Sequence, residues 1–163
     1  MDQLAVIIMG SKADLPHVEK IGESLRSWGI PFQVRIASAH KAPRYLLEMV
    51  EKYDALTAQV VYIAVAGRSN ALGGLLDANT SAPVINCPPY SDRYAGADVF
   101  SSLRMPSGVG CVTVLEPEAA ALAAAKILAL GNPDMRRKLE GHRASMAQAI
   151  QEADQALNRR EAE

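Results

Sequence analysis

The sequence predicts a three-layer α/β fold in which helices cover both faces of a parallel, five-stranded sheet. Over residues 4–130, short apolar runs alternate with segments of helical pattern. The runs are continuously apolar, as is typical of parallel strands buried on both faces, and their alternation with helices is typical of such a sheet. With 163 residues, of which 49% are hydrophobic, the chain fits one domain with a buried core.

The predicted elements follow one another in order along the chain. Strands are predicted at residues 4–9, 32–37, 60–66, 83–87 and 110–115, and helices at residues 15–28, 43–53, 71–78, 98–104 and 117–130. Asp14 is a candidate cap for the first helix, which ends before Gly29, and Pro43 opens the second. This order favours a flavodoxin-like, doubly wound sheet, in which ligands bind at the carboxyl ends of the strands.

The segment from residue 133 to residue 163 has no strand pattern and is predicted as one long, charged helix. A narrow stripe recurs along it at steps of three or four residues: Met135, Leu139, His142, Met146, Ile150, Ala153 and Leu157. This stripe can pack on its own subunit or on a neighbouring subunit. We expect it to pack on a neighbouring subunit, because the predicted core is already covered by its own helices. The prediction is therefore a single domain, 1–163, with a core at 1–131 and an oligomer contact at 132–163.

Composition excludes several classes of protein. The net charge of −1 disfavours a nucleic-acid binder that works by bulk electrostatics. No apolar run reaches the roughly 18 residues that cross a membrane, and the first three residues lack the basic charge of a signal peptide. Cys87 and Cys111 lie in apolar runs, and no Cys/His metal pattern is present. We expect a reduced, cytoplasmic protein with no metal site and no contact with membranes or nucleic acid.

Polar loops follow the first two predicted strands. Gly10 and Ser11 lead into a helix start, where free backbone N–H groups and the helix dipole suit a phosphate, although a simple capped helix start explains them equally well. The second loop carries Ser38, His40 and Lys41. A histidine in such a loop can act as general acid or base, while Ser38 and Lys41 could hold an anion.

The third loop, which follows the most apolar strand, contains Gly67, Arg68, Ser69 and Asn70. Its glycines permit close approach of a ligand to the backbone, and its side chains offer donors without a nucleophile–base pair. A polar segment at residues 101–108 is expected to close the pocket or an interface. With Lys41 and Arg68 near one pocket, the expected ligand is an anion, most simply a phosphate monoester. His17 is expected at a surface or interface, and His142 is expected to take part in helix packing.

Four of these segments together resemble one family of purine-biosynthesis enzymes, the 5-aminoimidazole ribonucleotide (AIR) carboxylases and N5-carboxyaminoimidazole ribonucleotide mutases. They read IIMGSKAD, SAHKAP, AVAGRSNALGG and SSLRMPSG. The mutase branch carries SAHR and an AGGAAHLPG loop with its own histidine, whereas this chain has SAHK and no histidine in the third loop. The chain thus resembles the class II branch, which adds CO2 to AIR without ATP, biotin or metal. Mutase activity and a non-catalytic nucleotide-binding module are the alternatives.

The resemblance also assigns roles to the loop residues. It implies that Ser11 and Asp14 belong to the nucleotide-binding loop, with Asp14 toward the ribose hydroxyls. Ser38 and Lys41 match positions near the phosphate, and His40 matches the catalytic histidine.

The remaining matches concern the third loop and the assembly. Gly67, Arg68, Ser69 and Asn70 match the loop around the base and CO2. Ala13 departs from the family, which usually has a serine there, so one hydroxyl contact is lost. Family members are octamers or tetramers, which implies a homo-oligomer here.

Overall fold

The computed structural model describes residues 2–161 and contains one parallel sheet. Its strands are β1 (Gln3–Met9), β2 (Phe32–Ile36), β3 (Gln59–Val65), β4 (Val84–Asn86) and β5 (Val112–Thr113). The order across the sheet is β2-β1-β3-β4-β5, and every neighbouring pair is parallel. This is the flavodoxin-like order, and it confirms the predicted fold class.

Helices cover both faces of the sheet. They are α1 (Leu15–Trp28), α2 (Pro43–Asp54), α3 (Ala71–Asp77), α4 (Phe100–Leu103), α5 (Pro117–Leu128) and α6 (Pro133–Glu161). Successive side chains of β1 explain the two layers, because neighbouring residues of a strand point to opposite faces. Ala5 and Ile7 belong to a core with α1 and α5, whereas Val6 and Ile8 belong to a core with α2 and α3.

Two elements near the end of the sheet differ from the prediction. The helix predicted at residues 98–104 is only the short α4, preceded by a 3-10 segment at Arg93–Val99. Tyr94 and Ala95 have φ values of 53° and Gly96 of 76°, so the left-handed backbone interrupts a regular helix there. The strand predicted at residues 110–115 is the two-residue β5, which pairs with β4 alone at the edge of the sheet.

Helix α6 leaves the body of the subunit after its first turns. Met135 is buried, and the His142 ring packs edge-on against Trp28 with ring centroids 5.1 Å apart. Further along the stripe, Ile150 is 72% exposed, and Met146 and Leu157 are exposed as well. The prediction extended this helix to residue 163, and positions 162 and 163 lie outside the described residues. None of the helices within residues 2–161 is long and apolar enough to cross a membrane.

Candidate functional site

The loops after β1, β2 and β3 begin side by side at the carboxyl edge of the sheet. The backbone N–H of Gly10 donates to the carbonyl of Val65 at 2.9 Å, and that of Ala37 donates to the carbonyl of Met9 at 3.0 Å. A Cβ placed on Gly10 would lie 3.8 Å from the Cβ of Ala66, which is ordinary van der Waals contact and shows how near the first and third loops lie. The topology therefore gathers all three predicted loops at one edge.

The first loop closes on itself through Asp14. Oδ2 of Asp14 accepts hydrogen bonds from the backbone N–H and from the hydroxyl of Ser11, both at 3.1 Å. Asp14 precedes α1 but makes no side-chain cap to it, so the predicted capping bond is wrong: the carboxylate is already bonded to Ser11. An anion that approached the Ser11 donors would have to displace a carboxylate of the same charge. This loop therefore suits a ligand group that donates hydrogen bonds.

The second loop is a tight turn that presents two cationic or basic side chains to solvent. The hydroxyl of Ser38 accepts from the backbone N–H of Lys41 at 3.3 Å, and its carbonyl accepts from the N–H of Ala42 at 2.9 Å. The side chains of His40 and Lys41 are exposed, and within residues 2–161 neither forms a side-chain hydrogen bond. Both side chains are therefore accessible to a ligand.

The third loop is anchored by Asn70. This side chain is 2% exposed; its Oδ1 accepts from the N–H of Gly73 at 3.1 Å, which caps α3, and its Nδ2 donates to the hydroxyl of Ser102 at 2.9 Å. The backbone N–H of Asn70 donates to the hydroxyl of Ser101 at 3.0 Å. Asn70 thus joins the third loop to the segment at residues 101–108. The hydrogen-bonding groups of the Asn70 side chain are used inside the fold, whereas the side chain of Arg68 is exposed.

A cavity of about 220 Å³ lies beside the third loop, at the carboxyl ends of β3, β4 and β5. Gly67 and Arg68 are the predicted site residues that line it, and the others do not. The backbone of Arg68 is left-handed, with φ of 46°. This conformation is uncommon for residues other than glycine, and it is enriched at functional sites. Ordinary ligand pockets hold roughly 300–1,000 Å³, so this cavity suits one part of a nucleotide.

The rest of the cavity lining comes from residues that the sequence did not identify as site residues. It includes Pro88, Pro89, Asp98, Leu115 and Glu116. The Pro88–Pro89 turn was visible in the sequence, and the rule that ligands bind at carboxyl ends of strands points to it. Asp98 and Glu116 gave no such signal, because the cavity brings them together with Arg68 from three separate parts of the chain.

Neither cysteine is activated as a nucleophile. Burial raises the pKa of Cys87 to about 12, and burial also raises the pKa of Cys111. Both thiols stay protonated at neutral pH, whereas a reactive cysteine needs a lowered pKa. Among residues 2–161, no group of three or more His, Cys, Asp or Glu side chains is placed to hold a metal ion.

The fold defines a doubly wound α/β protein whose strand-end loops and cavity lie at one edge of the sheet. Comparison with known proteins identifies its family. The family model described as AIR carboxylase matches residues 4–149. The chain belongs to the AIR carboxylase family, enzymes of purine biosynthesis.

Individual relatives agree with that family. The phosphoribosylaminoimidazole carboxylase of Archaeoglobus fulgidus is 53% identical over 153 residues, which are 94% of this chain and 84% of that protein. The protein of the same name from Treponema denticola is 45% identical and covers 98% of this chain and 100% of its own length. The crystal structure of Treponema denticola PurE matches with a TM-score of 0.92 and 45% identity, over 95% of this chain and 98% of that one.

Proposed function

We propose that this enzyme adds CO2 directly to C4 of AIR and so forms 4-carboxy-AIR. The observation that carries the proposal is the third loop, residues 67–74, which brings Arg68 and Ser69 to the carboxyl edge but contains no histidine. In the mutase branch of the family, the corresponding loop contains a histidine. The names of the Archaeoglobus and Treponema relatives, both phosphoribosylaminoimidazole carboxylases, support the same assignment.

In this proposal the nucleotide lies across the first two loops. Asp14 holds two donors of Ser11 and repels a phosphate, so its carboxylate suits the ribose hydroxyls, which can donate to it. The phosphate is then bound by the exposed ammonium of Lys41 and by the turn that Ser38 forms with Lys41. Gly10 presents only backbone where the first loop leaves β1, so no side chain stands between that backbone and the ligand.

The imidazole and CO2 occupy the side of the third loop. Gly67 and Arg68 line a cavity small enough to hold CO2 beside the ring with little water. Holding two reactants in contact can supply several kcal/mol of the barrier, in the order of magnitude measured for intramolecular reactions. Ser69 offers an exposed hydroxyl at the same loop. Asn70 contributes by keeping the loop in place through its bonds to Gly73 and Ser102.

The reaction then needs one bond and one proton transfer. AIR is an enamine, so the electron pair at C4 attacks the carbon of CO2, which becomes a carboxylate. C4 is now tetrahedral and still bears its hydrogen. His40 accepts that proton, and the C4–H electron pair restores the aromatic ring. Atoms and electrons balance with AIR, CO2 and one base, and the step as written requires no cofactor.

A comparison of two substrates tests the proposal. The purified enzyme is supplied with AIR and a high concentration of bicarbonate, and separately with N5-carboxy-AIR. Direct carboxylation predicts that 4-carboxy-AIR forms from AIR and CO2. Turnover of N5-carboxy-AIR alone would contradict it and favour the mutase, and binding of AIR without either reaction would favour a non-catalytic module.

We also propose that the enzyme is a homo-oligomer, an octamer or a tetramer as in the resembling family. Two surfaces of the described chain support this. The stripe of α6 is uncovered from Met146 to Leu157, and the segment beside the cavity exposes Tyr90 to 91% and Tyr94 to 83%. Phe100 is exposed next to them. Apolar surface of this extent is typical of interfaces, and a neighbour at Tyr90 would complete the cavity wall.

A further inference from the structure

One histidine remains outside the proposed mechanism, His17, which the sequence predicted at a surface or interface. His17 lies in the first turn of α1 and is half-buried. Its Nε2 lies 3.3 Å from the sulfur of Cys87, which follows β4. The charged groups that act on it are Lys20 and Asp14, within three residues of it in the sequence, and Glu116, which immediately precedes α5. His17 therefore stands between the first loop and the wall of the cavity.

The direction of the hydrogen bonds follows from the state of Cys87. Its side chain is fully buried, and its thiol keeps its proton because burial raises the pKa to about 12. The sulfur lies 3.7 Å from the carbonyl oxygen of Leu115, which can only accept. Both contacts are satisfied together when the S–H donates to Leu115 and the sulfur accepts from Nε2–H of His17. In that arrangement a neutral His17 carries its proton on Nε2.

Each member of this chain of hydrogen bonds is joined to a part of the site. His17 is three residues from Asp14, which closes the first loop. Cys87 precedes Pro88, and both Pro88 and Leu115 line the cavity. The bonds therefore connect the loop proposed for the ribose, which follows β1, to the part of the cavity lining that follows β4 and β5.

We propose that His17 is a positioning residue of this enzyme, a neutral hydrogen-bond donor that holds the cavity wall in register with the nucleotide-binding loop through Cys87 and Leu115. The inference rests on the proposed function, because it places the reacting ring at that wall. His17 itself touches no substrate in this scheme. Its loss would displace the wall and leave the proposed phosphate contacts of Ser38 and Lys41 in place.

The test compares two substitutions of similar size. His17→Gln keeps an N–H donor close to the position of Nε2 but cannot be protonated, whereas His17→Leu has no donor. For His17→Leu we expect kcat to fall about tenfold or more with KM for AIR within about twofold, since small misplacements of reacting groups are costly. His17→Gln should restore most of kcat and show the same pH profile as the wild type. Glu19→Gln serves as the control, because Glu19 is an exposed residue of α1 two positions after His17.

A double substitution shows whether the effect passes through the sulfur. In a Cys87→Ala background, replacing His17 with Leu should change kcat by less than about twofold, because the link is already broken. A kcat of His17→Leu close to the wild-type value would overturn the proposal, as would equal losses in His17→Leu and His17→Gln. All rates are taken as ratios to the wild type with whichever substrate it consumes, so an error in the class assignment would appear separately, in the wild type itself.

Discussion

At the scale of single residues, the proposed chemistry depends most on His40. Its ring is exposed at the carboxyl edge and is the proposed acceptor of the C4 proton. We expect His40→Asn to lower turnover by about 10²-fold or more, the usual contribution of a positioned base. Binding of AIR, measured by calorimetry, should change little, because the proposed phosphate contacts remain.

A matched control exists on α6. His142→Asn makes the same chemical change at a ring that packs on Trp28, away from the strand ends. Its turnover should stay near the wild-type value. Near-normal turnover of His40→Asn would remove His40 from the mechanism.

A second residue-scale prediction concerns Gly73 and Gly74, two adjacent glycines of α3. A Cβ on Gly73 would lie 1.7 Å from Oδ1 of Asn86, a fully buried side chain, whereas a Cβ on Gly74 would meet only the flexible end of Met105 at 3.3 Å. Gly73→Ala should lower the free energy of unfolding by about 1–3 kcal/mol, as overpacked cores do. Gly74→Ala should cost clearly less. Urea unfolding of both variants checks this, and equal losses would contradict it.

The third residue-scale prediction follows from the burial of His17. Burial lowers its pKa from the usual 6.5, and the contact with Cys87 only partly opposes this. Between the two pKa values the unfolded chain binds more protons than the folded one, so the free energy of unfolding decreases as the pH falls below about 6.5. His17→Gln cannot titrate. Its free energy of unfolding should therefore fall less than that of the wild type between pH 7.5 and pH 5, and parallel curves would refute this.

The residues that the sequence identified and those that it missed differ in a physical way. His40 and Arg68 follow strands directly, so the strand pattern alone placed them at the carboxyl edge. The role of Asn70 as an anchor was not visible, because its partner Ser102 is 32 residues away. The contact of His17 with Cys87 was not visible for the same reason, because it spans 70 residues and arises from the packing of α1 against the sheet.

At the scale of elements, α6 carries the proposal of an oligomer. Ile150 lies in the middle of the uncovered stripe, so Ile150→Asp should weaken assembly and reduce the mass measured by light scattering at micromolar concentration. Gln155→Asp adds the same charge on the opposite face of the helix and should leave the mass unchanged. Equal effects of the two changes, or a monomeric wild type, would show that the stripe does not join subunits.

The elements also show where patterns predict well. β1 and β3 are buried on both faces, and their continuous apolar runs fix their bounds to within a residue. β5 is a two-residue edge strand, and its apolar neighbours extended the predicted strand at both ends. The helix predicted at residues 98–104 is shorter than predicted, since α4 covers only Phe100–Leu103. The left-handed backbone at Tyr94 and Ala95 before it was not predicted, because these residue types do not indicate it.

At the scale of the whole molecule, the account depends on the source of the carboxylate carbon. The strand order brings three loops to one edge, and the proposed reaction takes CO2 from solution into the cavity beside Arg68. The most direct measurement supplies unlabelled N5-carboxy-AIR together with ¹³C-labelled CO2 and follows the product by NMR. Direct carboxylation predicts that 4-carboxy-AIR carries the label, whether AIR is added or is released by decay of the carbamate. Unlabelled 4-carboxy-AIR, formed at the enzymatic rate, would show transfer within the substrate and contradict the account.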